Sequence, residues 1–370
     1  MDPARMRIAD LPTPCLILDR TVLARNIRSM AGALSRLGVP LRPHMKTAKS
    51  IEVARMALLG QPGGITVSTL AEAEYFAGHG IRDILYAVAI TPQKLDHVAK
   101  LNAAGADIIV VTDDPETASA IAAHPKPPRS LIEVDCGEER SGVVPDSAAL
   151  MEIAARLGAS LVGVMTHAGH SYSGRGIRDM AAIAEQERAS ITFAAQRLRQ
   201  AGHAITIVSA GSSPTAMHAE NLSGITEMRA GVYMFGDLFQ AEIGTHAIDG
   251  IAVTVLASVI GLRPGRVLVD AGGLALSKDR STADAPHDYG YGLALDLAGR
   301  PSYGPAFVTR AYQEHGVIEM HPDYLIPLSV GGKLRIAPNH TCMTAAAHDR
   351  YFVVDGEDEV VAIWTRVNGW

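Results

Sequence analysis

Asp107-Ile108-Ile109-Val110-Val111 and Ser130-Leu131-Ile132-Glu133-Val134-Asp135 decide the fold. Both runs are continuously apolar and β-branched, with no alternation of apolar and polar residues. Strands of that composition are covered on both faces, which is the condition of a parallel sheet. Runs of the same kind recur at Gly64-Ile65-Thr66-Val67, Asp83-Ile84-Leu85-Tyr86-Ala87, Leu161-Val162-Gly163-Val164-Met165 and Ile205-Thr206-Ile207-Val208-Ser209. Ala/Leu/Glu-rich helical stretches lie between them, including Thr21 to Leu37, Thr69 to His79, Pro92 to Ala103, Ser147 to Leu157 and Arg178 to Gln200. Repeated strand–helix units over residues 20–245 predict an α/β fold, a (β/α)8 TIM-type barrel; a doubly wound sheet is the alternative. No Gly-x-Gly-x-x-Gly follows the first strand, which weighs against a dinucleotide-binding sheet.

From about residue 246 the pattern changes. Strand-like runs occur at Ile251–Ile260, Arg266–Asp270, Leu334–Ala337, Tyr351–Val354 and Glu359–Trp364, with turns at Pro264-Gly265, Gly331-Gly332 and Asp355-Gly356. Helical stretches are scarce, so residues 246–370 read as a second, mostly antiparallel β domain. Ser281 to Ser302, rich in Asp, Gly and Tyr, reads as an insertion loop. Residues 1–19, with Pro14-Cys15-Leu16-Ile17-Leu18-Asp19, offer one further strand to either domain.

Composition narrows the function classes. At 370 residues and 48% hydrophobic, the chain is long enough for two cores. A formal charge of −6 and no basic run with aromatics argue against nucleic acid and anionic membranes as partners. Three dispersed cysteines, Cys15, Cys136 and Cys342, make no disulfide framework and point to a reducing cytoplasm. Met1 to Asp10 lacks an apolar signal core, and no window has the ~18 apolar residues of a membrane span.

Barrel strands carry active sites at their C-terminal ends. Lys46 follows Val39-Pro40-Leu41-Arg42-Pro43-His44, Arg140 follows the strand ending at Asp135, and His167 and His170 follow Met165. Gly211-Ser212-Ser213 follows Ser209, and Arg229 and Gly231 precede Val232. Each residue has a plain alternative. A lone lysine is usually a solvated charge, a lone histidine a satisfied core imidazole, and a Gly/Ser turn simply a turn. Their convergence on one end of one domain favours a site. A desolvated lysine forms an imine with an aldehyde, and Gly turns admit a phosphate. Further on, Pro338-Asn339-His340-Thr341-Cys342 places imidazole and thiolate at i and i+2, on one side of an extended segment. That pair suits zinc with open coordination positions, although a free cysteine is as often a small buried hydrophobe. Glu314-His315 is a candidate additional ligand.

With these residues in place, the chain resembles the D-serine dehydratase and D-threonine aldolase family, whose members share the alanine-racemase-like fold of pyridoxal-phosphate (PLP) enzymes. The resemblance runs through Thr13-Pro14-Cys15-Leu16, Arg42–Thr47, Glu133–Gly137 with Arg140-Ser141-Gly142, His167–Tyr172, Ser209–Thr215, Thr226–Gly231, Gln313–Gly316, Pro338–Cys342 and Asn368-Gly369-Trp370. It implies that Lys46 holds PLP, that His167 packs on its ring, and that Arg140 lies near the phenolic oxygen. It implies that Gly211, Ser212, Gly231 and Val232 bind the phosphate, and that Tyr172 lines the substrate pocket. Arg229 aligns with the position facing the pyridine nitrogen in the racemases; an arginine there discourages ring protonation and weakens the electron sink. His340 and Cys342 then hold a divalent metal, zinc first, with Mn, Co and Mg as alternatives. Relatives with this fold are usually dimers, so the resemblance implies a homodimer.

Cys342 favours the dehydratase branch, because the aldolase branch carries Asp there; Ala48 stands where the family often has His. The expected activity is metal-assisted dehydration of a small-molecule β-hydroxy-D-amino acid. D-Serine would give pyruvate and ammonia; D-threo-3-hydroxyaspartate would give oxaloacetate and ammonia. Retro-aldol cleavage to glycine and an aldehyde is the first rival. A racemase and a non-catalytic PLP-binding protein follow, and the ~120 residues after the barrel argue against the last.

Overall fold

The computed structural model describes residues 6–321 and 328–370, so residues 1–5 of the N-terminal stretch lie outside the described residues. The chain forms two compact units. One holds Ser29–Gly231 with Val367–Trp370, and the other holds the residues up to Arg28 with Val232–Arg366. The units divide after Gly231, ahead of the boundary expected at 245, because the turn that follows already packs in the β unit. There the Phe235 ring meets Tyr351 edge-on at 5.5 Å.

The first nine strands are β1 (Cys15–Asp19), β2 (Leu41–Pro43), β3 (Ile65–Val67), β4 (Asp83–Ala89), β5 (Asp107–Thr112), β6 (Ser130–Glu133), β7 (Leu161–Met165), β8 (Ile207–Ala210) and β9 (Glu227–Ala230). Strands β2 to β9 make one eight-stranded sheet in the order β2-β9-β8-β7-β6-β5-β4-β3. Every pairing in it is parallel. Leu85, Ile109, Val111, Leu131 and Met165 pack as one buried cluster across β4 to β7. Ile84, Ile108, Val110, Ile132 and Val164, of the opposite parity, are buried as well. Burial of both parities is why these strands read as unbroken apolar runs.

The barrel nearly closes between β2 and β3. Backbone joins that seam through a single bridge, His44 to Thr66, and through Met45 N–H donating to the Thr66 carbonyl at 2.8 Å. Arg42 spans the rest. Its guanidinium donates to both carboxylate oxygens of Asp83, at 2.9 and 3.0 Å, to Glu227 at 2.7 Å and to the Ile65 carbonyl at 3.3 Å. Gly64 makes room for it: a Cβ there would stand 2.4 Å from both Arg42 Nη1 and Asp83 Oδ2. A buried arginine is tolerable here because its donors are taken by two carboxylates and a carbonyl.

The other unit adds β10 (Val253–Arg263), β11 (Arg266–Val269), β12 (Gly292–Leu295), β13 (Phe307–Ala311), β14 (Gly316–Glu319), β15 (Lys333–Pro338), β16 (Arg350–Val354) and β17 (Ala362–Thr365). The sheet order β11-β14-β13-β12-β15-β10, with β10 pairing back to β11, closes a six-stranded barrel. All of its pairings are antiparallel. β1 joins this unit, antiparallel to β10 and parallel to β16, and β17 ends the sheet. One expectation is corrected: Ser281–Ser302 is not purely an insertion loop. It contains β12, whose four residues are all buried and which pairs with β13 and β15. The Asp/Gly/Tyr flanks hide a stave only four residues long.

Arg42→Met removes the partner of the largely buried Glu227, 13% of whose side chain is exposed, and should cost about 3 kcal/mol in urea unfolding. Adding Glu227→Gln should recover part of that loss, because the stranded charge goes with it. An Arg42→Met protein as stable as the parent would show that the network does not hold the seam.

Candidate active site

The parallel strands deliver their functional groups at one end of the barrel. Three residues beyond β2, Lys46 is exposed and makes no ion pair among the described residues. Its backbone N–H donates to His44 Nδ1 at 3.4 Å. Burial, followed by the charges of Lys46 and Arg229, pushes the His44 pKa well down. Three residues beyond Lys46, Lys49 adopts φ +49° and pairs with the buried Glu72 at 3.2 Å. The Val367 N–H is donated to the Lys49 carbonyl at 2.9 Å. The lysine-bearing loop is thus fastened on both sides, at the seam and at Lys49.

Beyond β7, the His167 imidazole faces the Gly211 carbonyl, with Nδ1 at 3.0 Å. That contact requires a proton on Nδ1, so the Nε2 lone pair is free. Burial, then the Lys46 charge, lowers the His167 pKa to about 3, so the ring is neutral at physiological pH. Tyr172 lies in the short helix Gly169–Ser173, its ring centroid 6.3 Å from that of His167. Arg140 is more exposed, pairs with Glu138 at 3.2 Å, and is felt electrostatically at His167. His170 follows the same strand, and both its ring nitrogens are buried without a hydrogen-bond partner.

Arg229 on β9 is buried and donates to Ser209 Oγ at 2.6 Å and to the Thr166 carbonyl. Ser209 in turn donates to Glu227 at 2.5 Å, which links Arg229 to the Arg42 network. Burial lowers the Arg229 pKa, while Glu227, Glu187 and Glu133 oppose that effect. The guanidinium is therefore a fixed cation held from behind.

The expected phosphate cradle is partly corrected. Gly211 has φ +127°, and a Cβ there would sit 2.3 Å from the Arg229 carbonyl oxygen, so glycine is required. Its N–H, however, is already donated to Glu187 at 2.9 Å, and its carbonyl faces His167. Gly211 thus shapes the turn but has no free backbone donor. The Ser212 hydroxyl caps the helix Ser213–His218 through Thr215 N and lies 2.9 Å from Ser171 Oγ. Gly231 and Val232 differ: among the described residues their N–H groups have no acceptor. A Cβ on Gly231 would lie 2.8 Å from the His44 carbonyl oxygen. An exposed lysine, a neutral imidazole and two spare N–H donors fit an aldehyde cofactor that carries a phosphate.

In the β unit, β15 ends at Pro338, and His340 is the N-cap of the helix Thr341–Ala346. The segment is therefore not a continuous extended strand, as its spacing suggested; Cys342 sits in a first helical turn. The two side chains still meet, because the Cys342 sulfur is within hydrogen-bond reach of the imidazole. His340 Nδ1 lies 2.6 Å from Asp279 Oδ2. Burial would lower the His340 pKa, yet Asp279, Cys342 and Asp237 together raise it to about 11. No cluster of three or more metal-ligating side chains occurs among the described residues. Glu314 and His315 are exposed near the β13–β14 hairpin and do not join the pair, which corrects their candidacy as ligands. An imidazole and a thiol side by side fit a catalytic divalent ion, which takes fewer protein ligands than a structural one.

Sequence reasoning missed Asp279 and Glu187. Asp279 gives no local signal, lying 61 residues from its partner. Glu187 does give one: it interrupts the buried stripe Met180, Ala184, Ile191, Ala194 and Leu198 on the helix Ile177–Gln200. Its Oε1 accepts the N–H groups of Ala168 and Gly211, tying the loops after β7 and β8 together.

Comparison with known proteins agrees with this architecture. Residues 18–238 match the alanine racemase N-terminal domain, and residues 252–354 match a putative serine dehydratase domain. The chain is 42% identical to D-threo-3-hydroxyaspartate dehydratase of Delftia sp. (strain HT23), covering 97% of this chain and 98% of that one. It is 29% identical to D-serine dehydratase of Dictyostelium discoideum, with 98% of both chains covered. The solved Delftia dehydratase superposes with a TM-score of 0.94 at 40% identity, covering 99% of this chain and all of that one. Structures of D-threo-3-hydroxyaspartate dehydratase include alanine variants of a histidine and of a cysteine two positions on, the second in a metal-free form. A 3-hydroxy-D-aspartate aldolase of Paracoccus denitrificans is 30% identical over 95% of this chain and 91% of its own. This protein belongs to the D-serine dehydratase and D-threonine aldolase family of alanine-racemase-like, PLP-dependent enzymes.

Proposed function

We propose that the protein is a PLP- and metal-dependent ammonia-lyase that dehydrates a β-hydroxy-D-amino acid to a 2-oxo acid and ammonia. D-threo-3-hydroxyaspartate, giving oxaloacetate, is the leading substrate, and D-serine, giving pyruvate, the next. The observation that carries this reading is the His340–Cys342 pair, whose i, i+2 spacing equals that of the histidine and cysteine replaced in the related dehydratase. Its higher identity to that dehydratase than to the aldolase also favours dehydration over retro-aldol cleavage.

PLP supplies an electron-withdrawing ring that acidifies the substrate α-carbon. Lys46 is the residue to hold its aldehyde carbon and to take the α-proton. The neutral His167 packs against the ring without adding charge, and Tyr172 lines the substrate side. Arg140 lies toward the phenolic oxygen. The N–H groups of Gly231 and Val232 hold the phosphate, with Gly211 and Ser212 shaping the turn beside it. Arg229 meets the pyridine nitrogen as a cation and keeps that nitrogen unprotonated. A divalent ion, zinc first, supplies Lewis acidity for departure of the β-hydroxyl. His340 and Cys342 are its protein ligands. Relatives with this fold are usually dimers, which supports a homodimer, and the three widely dispersed cysteines support a cytoplasmic home. Among the described residues, no helix is long and apolar enough to cross a membrane.

Three outcomes test this reading. Lys46→Ala should abolish the near-visible absorbance of the lysine-bound cofactor, and its persistence would reassign the lysine. Removing metal should cut turnover about a hundredfold or more, since Lewis-acid stabilisation is worth several kcal/mol; full turnover in a verified metal-free enzyme would eliminate the ion's role. For His167, the folded pKa of about 3 lies below the ordinary 6.5, so between these values the unfolded state binds the extra proton. Stability should therefore fall as pH drops through that window, and ¹⁵N NMR should show the His167 ring as a neutral Nδ1–H tautomer at pH 5. A ring that titrates near 6.5 would contradict this.

A further inference from the structure

We propose that Asp279 is the positioning residue of the candidate metal centre: its Oδ2 accepts the His340 Nδ1–H and leaves Nε2 as the nitrogen that ligates a divalent ion. The inference rests on the assignment of His340 and Cys342 as metal ligands. An imidazole has two nitrogens and can present either one; the hydrogen bond on the far nitrogen selects the tautomer and the ring rotation. Here that far-side acceptor is 2.6 Å from Nδ1. A carboxylate also enriches the electron density of the ring, which strengthens the ligating nitrogen.

The placement of Asp279 is built rather than incidental. Its second oxygen, Oδ1, accepts Ser281 Oγ at 2.7 Å, so each carboxylate oxygen has one defined donor. Its backbone N–H donates to Ser277 Oγ at 3.2 Å, and Ser277 holds φ +70°, a conformation rare outside glycine. The neighbouring Arg280 pairs with Asp288 and lies over the Tyr291 ring at 5.1 Å. These contacts leave Asp279 little freedom to swing away from His340. The carboxylate is partly solvent-exposed, with 28% of its side-chain surface accessible, so its replacement should leave the fold intact.

The test uses the PLP-loaded protein stripped of metal and titrated with Co²⁺, with affinity read by competition against a chromophoric chelator and geometry read from the cobalt ligand-field bands. Four proteins are compared: parent, His340→Ala, Asp279→Ala and Asp279→Asn, each checked by circular dichroism. Asp279→Ala should weaken Co²⁺ binding about 10- to 100-fold and shift the ligand-field bands. Asp279→Asn keeps an acceptor for Nδ1–H, and its amide N–H2 can donate to Ser281 Oγ; it should restore the band positions and most of the affinity. Co²⁺ affinity and bands in Asp279→Ala equal to the parent's would overturn the proposal. Parent and His340→Ala binding Co²⁺ alike would instead overturn the ligand assignment beneath it, and the proposal with it.

Discussion

The β/α unit depends on closing a parallel barrel across a seam where the backbone supplies almost no bonds. β2 is three residues long and meets β3 through one bridge. A guanidinium substitutes for the missing ladder: Arg42 reaches Asp83, Glu227 and the Ile65 carbonyl at once. The same chain segment leaves that seam as His44-Met45-Lys46. The lysine is therefore positioned by a charged network inside the barrel, in addition to its own loop. Glu227 extends this network through Ser209 to Arg229, so the two interior arginines share one acidic partner. Arg42 and Arg229 also stand opposite each other in the β2–β9 register. Two like charges side by side in a barrel interior are bearable only because Glu227, Glu187, Glu133 and Asp83 surround them.

This arrangement has chemical consequences. An arginine with donors committed to Ser209 and Thr166 cannot readily move, and burial with acidic neighbours sets its charge. Placed at the pyridine nitrogen, as proposed, such a cation would make the cofactor a poorer electron sink. Expelling hydroxide from a β-carbon then calls for help at the leaving group. Under the proposed function, a divalent ion held by His340 and Cys342 would answer that need. The β unit that carries the pair is closed as a barrel of its own, which holds the strand-to-helix corner at Pro338–Thr341 in place. Asn339 reinforces that corner, donating to Thr282 Oγ1 at 2.7 Å and to the Gly290 carbonyl at 2.6 Å.

Strands with both faces buried were legible from their unbroken apolar runs, and β3 to β8 stand where those runs lie. β9 was not, because its interior positions hold Glu227 and Arg229 in place of aliphatic residues, and β2 showed only as the short run ahead of Lys46. β12 was hidden by its length and by polar flanks that resemble a loop. Lys46, His167, Tyr172, Arg229, His340 and Cys342 stood out by residue type and by place at strand ends or at close spacing. Asp279 did not, since it acts from a distant part of the chain through a contact that only folding creates, and Glu187 left only the break in its helix's apolar stripe. Gly211 shows the limit of a motif: a Gly/Ser turn at a strand end was readable, whereas the commitment of its N–H to Glu187 was not.

The most direct measurement of the central claim is the identity of the products formed from D-threo-3-hydroxyaspartate by the metal-loaded enzyme, followed by NMR of a ¹³C-labelled substrate. Oxaloacetate and ammonia in equal amounts are the expected result. Glycine and glyoxylate would contradict the assignment and make the protein an aldolase.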